Sequence, residues 1–147
     1  MKELADQIEL AVHENTEFIR QMPESMFEAK PRPEKWSKKE ILGHLVDSAQ
    51  NNLQRLIRTQ YEEVPKIVYQ QDTWVRLADY QSYKRADLLD LWIVLNKHYA
   101  HLLRVMPQDV LGRLSDVGQK EPQVHTLEFI AEDYLKHMLH HLNQIKS

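Results

Sequence analysis

The sequence between residues 37 and 57 reads SKKEILGHLVDSAQNNLQRLI. Its first four residues form a capping-box pattern, in which the Ser37 hydroxyl accepts from a free helix amide and the Glu40 side chain reaches back to the amide of Ser37. Apolar residues then recur at the spacing of one helix face: Ile41, Leu42, Leu45, Val46, Ala49, Leu53, Leu56 and Ile57. The segment is therefore predicted to be an amphipathic helix that begins after Ser37 and fades near Tyr61.

Three other segments show the same periodicity, and proline or a capping residue bounds each of them. They run from about Lys2 to Met22, from about Tyr83 to Met106 and from Thr126 to about Ile145. The connections at 29–35, 62–82 and 107–125 have no regular pattern beyond one helical turn at 107–111, and no alternating strand pattern occurs. The sequence predicts an all-α four-helix bundle with long connections, in a single domain of residues 1–147.

The composition, with 42% hydrophobic and 28% charged residues among 147, is typical of one globular domain. Because cysteine is absent, disulfides, thiolate nucleophiles and cysteine metal sites are excluded. The net charge is -3, and scattered basic residues (Arg55, Arg58, Lys84 and Arg85) predict solvated helix faces rather than a nucleic-acid surface. No segment has the length of apolar sequence that a membrane helix or a signal peptide needs, so a cytoplasmic protein without a membrane partner is expected.

The eight histidines differ in the helix face they occupy. In the last helix the apolar residues share one face: Leu127, Ala131, Tyr134, Met138, Leu142 and Ile145. His137 and His141 are four residues apart and lie side by side at the edge of that face. His140 lies about 100° away from His141 around the helix and is predicted to point outward.

His44 lies at the edge of the apolar face of the second helix, from which it can face His137 and His141 across the bundle. Three neutral imidazoles with open coordination positions form a divalent metal site of the catalytic type. Periodicity alone leaves a second interpretation open, in which the three histidines are hydrogen-bonded residues at the boundary of the core. The HExxH mechanism does not transfer, because Met138 rather than a glutamate follows His137.

The remaining histidines have weaker assignments. His13 and His101 are predicted to be exposed. His98 lies at the edge of the third helix, as a core residue or a fourth ligand, and the core is preferred. His125 precedes the cap of the last helix and is placed at the mouth of the site.

Three stretches resemble motifs of one family, the DinB/YfiT-like family. Residues 35–48, KWSKKEILGHLVDS, resemble its second-helix signature. Residues 69–75, YQQDTWV, are similar to a loop motif of the YfiT-like branch, and residues 133–145, DYLKHMLHHLNQI, resemble its closing HxxHHxxQ helix. Leu142-Asn143 stands where most DinB sequences have Arg-Gly, as in the YfiT-like branch, which weakens any transfer of activities from elsewhere in the superfamily.

The resemblance implies a four-helix bundle, usually dimeric, in which His44, His137 and His141 hold a divalent ion such as Zn, Ni or Fe. YfiT-like proteins are regarded as metal-dependent hydrolases, so hydrolysis of a small molecule is the first expectation. A metal-dependent transferase or isomerase that uses a low-molecular-weight thiol is the second, and a non-catalytic metal-binding or structural helical dimer is the third. Asp47 is a candidate to orient a ligand imidazole, and Tyr134 is a candidate proton donor, although solvation of Asp47 and packing of Tyr134 are the simpler interpretations.

Overall fold

A computed structural model describes all 147 residues of the chain. The helices are α1 (Lys2–Gln21), α2 (Glu24–Glu28), α3 (Lys38–Arg58), α4 (Gln71–Ala78), α5 (Arg85–Val105) and α6 (Leu127–Lys146). The two strands are β1 (Leu114–Asp116) and β2 (Val124–Thr126). The long helices α1, α3, α5 and α6 confirm the predicted four-helix bundle, and their ends lie close to the predicted ones.

The four long helices form a closed ring of contacts around one core. Both α1 and α3 pack against α5 and α6, which places α1 diagonally opposite α3. Trp92 and Tyr99 of α5, Leu42 of α3 and Met138 of α6 are fully buried. Ile57 was predicted on the apolar face of α3, but it is 43% exposed because it lies about 100° around the helix from the fully buried Leu56. No helix of the structure is long and apolar enough to cross a membrane.

The start of α3 is fixed to the end of α6. The predicted capping box is present, since Ser37 Oγ accepts from the Glu40 amide at 3.0 Å and Glu40 Oε1 accepts from the Ser37 amide at 3.0 Å. The Lys38 ammonium donates to the carbonyls of Ile145 at 2.7 Å and Ser147 at 2.6 Å, where the last turn of α6 leaves carbonyls without helical partners. The two helices therefore run antiparallel, with the beginning of α3 beside the end of α6.

The connections contain more structure than the sequence predicts. The predicted helical turn after Pro107 is present as a 3-10 turn at Gln108–Val110, but α4 and a second 3-10 turn at Tyr80–Ser82 occupy the region predicted to be irregular. The expectation of no strands is also wrong, because β1 and β2 form a short antiparallel hairpin. Elements of three to eight residues are too short to produce a recognisable hydrophobic period.

The hairpin joins the long connection to the bundle. Thr126 ends β2 and caps α6, with its hydroxyl accepting from the Phe129 amide at 3.1 Å, as predicted. Asp116 of β1 pairs through its backbone with residues 65–67, which follow α3. Its carboxylate also accepts from the amides of Gly118 and Gln123, and these bonds hold the loop between the strands closed.

Gly43 of α3 is the point at which the Tyr80 ring packs on the helix. A Cβ atom on Gly43 would lie 2.1 Å from Cδ2 of Tyr80, far inside the contact distance of two carbon atoms. The ring has little room to move, because Tyr80 is 4% exposed and its hydroxyl donates to Asp47 Oδ1 at 2.5 Å. Glycine is therefore required here by a close approach and not by its backbone conformation.

The substitution Gly43→Ala is expected to lower the free energy of unfolding by about 1–3 kcal/mol, because overpacking outweighs the higher helix propensity of alanine. Urea denaturation followed by circular dichroism measures the change. Gly112→Ala is the matched control, since nothing lies within 4 Å of a Cβ at that position, and it should leave the stability unchanged or slightly raised. A Gly43→Ala protein as stable as the parent would contradict the packing described here.

Candidate metal centre

Three imidazole nitrogens converge between α3 and α6. Nε2 of His137 lies 3.2 Å from Nε2 of His44 and 3.1 Å from Nε2 of His141. One ring nitrogen from each of the three histidines lies within 4.8 Å of the other two. The three residues predicted from the sequence are thus brought together, since the antiparallel pairing sets the first third of α3 beside the second half of α6.

The three histidines fit a divalent ion of the zinc type. A tetrahedral centre with metal–nitrogen bonds near 2.0–2.1 Å separates its nitrogen ligands by about 3.3–3.4 Å. The two Nε2 separations at His137 are close to that value. Hydrogen bonds among the rings cannot satisfy all three nitrogens well. A neutral imidazole nitrogen offers either one N–H or one lone pair, but Nε2 of His137 faces two neighbouring nitrogens.

Gln144 sets the tautomer of His141. Nδ1 of His141 lies 2.8 Å from the Gln144 carboxamide oxygen, which only accepts, so Nδ1–H donates and Nε2 keeps its lone pair toward the centre. The amide nitrogen of Gln144 lies 3.3 Å from Nε2 of His140 and donates to it. His140 is exposed, as predicted, and its ring also packs edge-on against His141 at 5.0 Å between centroids.

His44 is the most deeply placed of the three histidines. Its side chain is fully buried rather than at the edge of the core, and the Trp36 ring packs on it at 4.9 Å between centroids. Its Nδ1 is buried without a hydrogen-bond partner. His137 and His141 are only partly buried, so the centre is open to solvent on the α6 side.

Burial keeps the three imidazoles neutral. It lowers the pKa of His44 to about 3, and the nearby His137 and His141 add to the effect. Burial also lowers the pKa of His137 to about 4, followed by the influence of His141. The pKa of His141 is lowered by burial, which outweighs the bond to Gln144. Neutral imidazole is the form that binds a metal ion, so the environment prepares the ligands near neutral pH.

A polar cavity of about 240 Å³ adjoins His137. Its walls come from α3, α6, the segment after α3 and the hairpin connection: Ser48, Asn52, Arg55, Tyr69, Val117, Gln123, His125, Phe129, Ile130, Asp133, Tyr134 and His137. The connection between α5 and α6 therefore covers one side of the site. His125, predicted at the site mouth, lines this cavity and stacks on Phe129 at 4.2 Å between ring centroids.

Asp47 is buried, and this contradicts the interpretation of a solvated surface acid. Its Oδ1 accepts from the Tyr80 hydroxyl, while its Oδ2 has no partner. Burial raises the pKa of Asp47 to about 6, against the opposing effect of the Tyr80 bond. No hydrogen bond joins Asp47 to His44, so its role in orienting that imidazole stays a prediction.

Tyr134 packs in the core, with 4% of its side chain exposed. Its ring stacks on Tyr99 at 4.1 Å between centroids, and its hydroxyl donates to Oδ1 of Asn96 at 2.6 Å. Burial raises the pKa of Tyr134 well above its usual range. The packing interpretation therefore accounts for Tyr134 better than proton donation does.

The remaining histidines take no part in the centre. His13 and His101 are exposed as predicted, but the prediction of a core position for His98 is wrong because that side chain is exposed. Trp92, Asn96 and Tyr99 face the interior and so set the orientation of α5 about its axis, which turns His98 outward.

Sequence reasoning missed Arg55, which was assigned to a solvated helix face and instead lines the cavity. A signal was available, because Ser48, Asn52 and Arg55 follow His44 at four, eight and eleven residues and so share its helix face. Tyr69 and Gln144 belong to the motifs that carry the family resemblance, but neither was given a role in the site. Tyr69 comes from a connection and reaches the cavity through tertiary folding, which no helical period encodes.

The chain is similar in sequence to one protein family and in fold to a solved structure. A family model for the DinB superfamily matches residues 7–145 of the chain. Among solved structures, YfiT from Bacillus subtilis aligns with a TM-score of 0.88 and 23% sequence identity, over 98% of this chain and 82% of that one. YfiT is described as a probable metal-dependent hydrolase with an unusual four-helix bundle topology. No curated protein sequence matches the chain.

Zinc affinity is expected to fall by less than about tenfold between about pH 7.5 and about pH 5.5, because the lowered pKa values leave few protons to displace. A site formed by three independent histidines of ordinary pKa would lose zinc affinity roughly a thousandfold over the same pH interval. Competition against a chelator, corrected for the chelator's own protonation, measures the affinity at each pH. A loss of a hundredfold or more would contradict the description of the histidines as buried and neutral.

Proposed function

The chain belongs to the DinB superfamily, and from this premise we propose that it is a metal-dependent hydrolase of a small molecule. In this proposal His44, His137 and His141 hold one divalent ion, with Zn, Ni and Fe as the candidates. The observation that carries the proposal is the convergence of three ring nitrogens within 4.8 Å. The description of YfiT as a probable metal-dependent hydrolase supports the same choice of chemistry.

An ion held by the three imidazoles would supply Lewis acidity and would activate water near neutral pH. The protein contributes a ligand set whose protonation state and orientation are fixed in advance. Gln144 holds the His141 tautomer, Trp36 packs on the His44 ring, and burial keeps His44 neutral. Little reorganisation of the protein is then needed at the moment of reaction.

The cavity beside His137 is the proposed binding site for the substrate. It is lined by hydroxyl and amide groups of Ser48, Asn52 and Tyr69 as well as by one ligand imidazole. A substrate held there would present its reacting carbonyl near the three-histidine centre and would be partly shielded from solvent by the hairpin connection. An accessible polar cavity at the centre favours an enzyme over a sealed structural site.

Hydrolysis of a panel of small esters and amides is expected to require the metal. Stripping the protein with a chelator should abolish turnover and adding Zn²⁺, Ni²⁺ or Fe²⁺ should restore it, while His44→Ala should stay inactive after addition because one of three ligands is missing. His101→Ala is the control, since His101 is exposed on α5 and lies outside the cluster. Product formation is followed by chromatography with and without an added low-molecular-weight thiol.

Turnover that requires the thiol would indicate a thiol-dependent transferase or isomerase in place of a hydrolase. Equal turnover in the stripped protein, or in His44→Ala, would contradict the proposed role of the ion. If His141→Ala lowers the stability of the protein without changing its metal content, the histidines are purely structural. The homodimer and the small-molecule partner implied by the family resemblance stay predictions.

A further inference from the structure

Arg55 places a positive charge in the cavity without a carboxylate partner. Its Nε and Nη2 donate to the Ile67 carbonyl at 3.2 and 2.9 Å, and its Nη1 donates to Asn52 Oδ1 at 3.4 Å. Since a guanidinium carries five N–H donors, one N–H on each terminal nitrogen is left without a protein acceptor. A free guanidinium N–H is a charge-assisted donor to a carboxylate oxygen.

Other arginines of the chain are satisfied differently. Arg58 pairs with Glu62, and Arg104 pairs with Asp6 and Glu9, all near the surface. Arg85 and Arg113 donate to backbone carbonyls, but neither lines the cavity. Arg55 alone among these five combines partial burial, an unpaired charge and a position in the wall that His137 shares.

The surroundings of Arg55 are unfavourable to a charge with no counterion. Burial lowers the pKa of the guanidinium, and the nearby Tyr69, Tyr99 and Asp133 only partly compensate. Asp133 lines the cavity, yet it is exposed and forms no salt bridge with Arg55. A partly desolvated charge of this kind gains most from a bound anion, because the desolvation penalty is already present in the free protein.

Arg55 and His137 both line the cavity between α3, α6 and the hairpin connection. Ser48, Asn52 and Tyr69 lie in the same cavity wall. The cavity of about 240 Å³ has room for about eight water-sized groups at roughly 30 Å³ each. A single guanidinium and this volume suit a small monoanion better than a phosphate dianion, which usually takes several cationic groups.

We infer that Arg55 binds a carboxylate of the substrate, so that the substrates are small carboxylic acids whose hydrolysable group faces His44, His137 and His141. This inference rests on the proposed function and deepens it. The carboxylate would be held at one end of the cavity and the reacting carbonyl would lie at the other, beside His137. Anchoring at a distance from the reacting bond fixes orientation, and Ser48 and Tyr69 would contact the part of the substrate between the two ends.

Matched pairs of metal-binding probes test this assignment. The monohydroxamates of malonic, succinic and glutaric acid carry a hydroxamate for the ion and a carboxylate tail of increasing reach. The neutral probe of each pair replaces the carboxylate by a methyl group. Calorimetric dissociation constants are measured for all probes with zinc-loaded parent protein and with Arg55→Gln, Arg55→Lys and Arg58→Gln.

The parent should bind the carboxylate probe about tenfold or more tightly than its neutral partner at one tail length, as a charge-assisted hydrogen bond allows. Arg55→Gln should reduce that preference to about twofold or less, and Arg55→Lys should keep part of it because the charge remains. Arg58→Gln should keep the full preference, because Arg58 forms its ion pair with Glu62 and does not line the cavity. Circular dichroism and zinc content show whether each variant is folded and loaded.

The outcomes separate this inference from the proposed function. If both members of every pair bind equally well to the parent, the ion is accessible but Arg55 does not select a carboxylate, and the inference is overturned. A preference that survives in Arg55→Gln would overturn it as well. If no hydroxamate binds to the zinc-treated protein, it is the three-histidine centre, and with it the proposed function, that fails.

Discussion

The antiparallel pairing of α3 and α6 is the constraint on which the site depends. The capping box at Ser37 and Glu40 fixes where α3 begins, and the Lys38 ammonium binds the last carbonyls of α6. Because the beginning of one helix is held at the end of the other, His44, six positions after Lys38, meets residues in the second half of α6. The ligand set is thus a consequence of helix register, and a shift of either helix by one residue would rotate an imidazole by about 100° away from the centre.

The same pairing separates two environments along α3. Toward its start, His44 is fully buried under Trp36, and burial keeps the imidazole neutral. Toward its end, the face that carries Ser48, Asn52 and Arg55 opens into the polar cavity. One helix face therefore provides a metal ligand at one end and polar groups at the other. The connections supply the remaining walls of the cavity, and the Arg55 bond to the Ile67 carbonyl fastens the segment after α3 to that helix.

The long helices and the three histidines could be predicted from the sequence, since both are encoded by the helical period. A period of 3.6 residues over twenty positions gives the face of His137 and His141, and prolines and capping residues give the helix ends. The family resemblance then favoured a metal site over hydrogen-bonded histidines at the core boundary, which the period alone left open. The period could not predict the orientation of α5 about its axis, because that helix has apolar residues on several sides. His98 of this helix is exposed and not in the core. The hairpin, α4 and the cavity wall at Tyr69 depend on tertiary contacts between short segments, and the burial of Arg55 and Asp47 follows from them.

The central claim is that His44, His137 and His141 bind one divalent ion, and elemental analysis of tag-free protein purified without chelator tests it most directly. The measurement compares the parent with His137→Ala/His141→Ala, and the double substitution His98→Ala/His101→Ala serves as control because both of those side chains are exposed on α5. Near one equivalent of Zn, Ni or Fe in the parent and control, with almost none in His137→Ala/His141→Ala, is the predicted result. Equal metal content in all three proteins, or no metal in the parent even after addition of these ions, would contradict it.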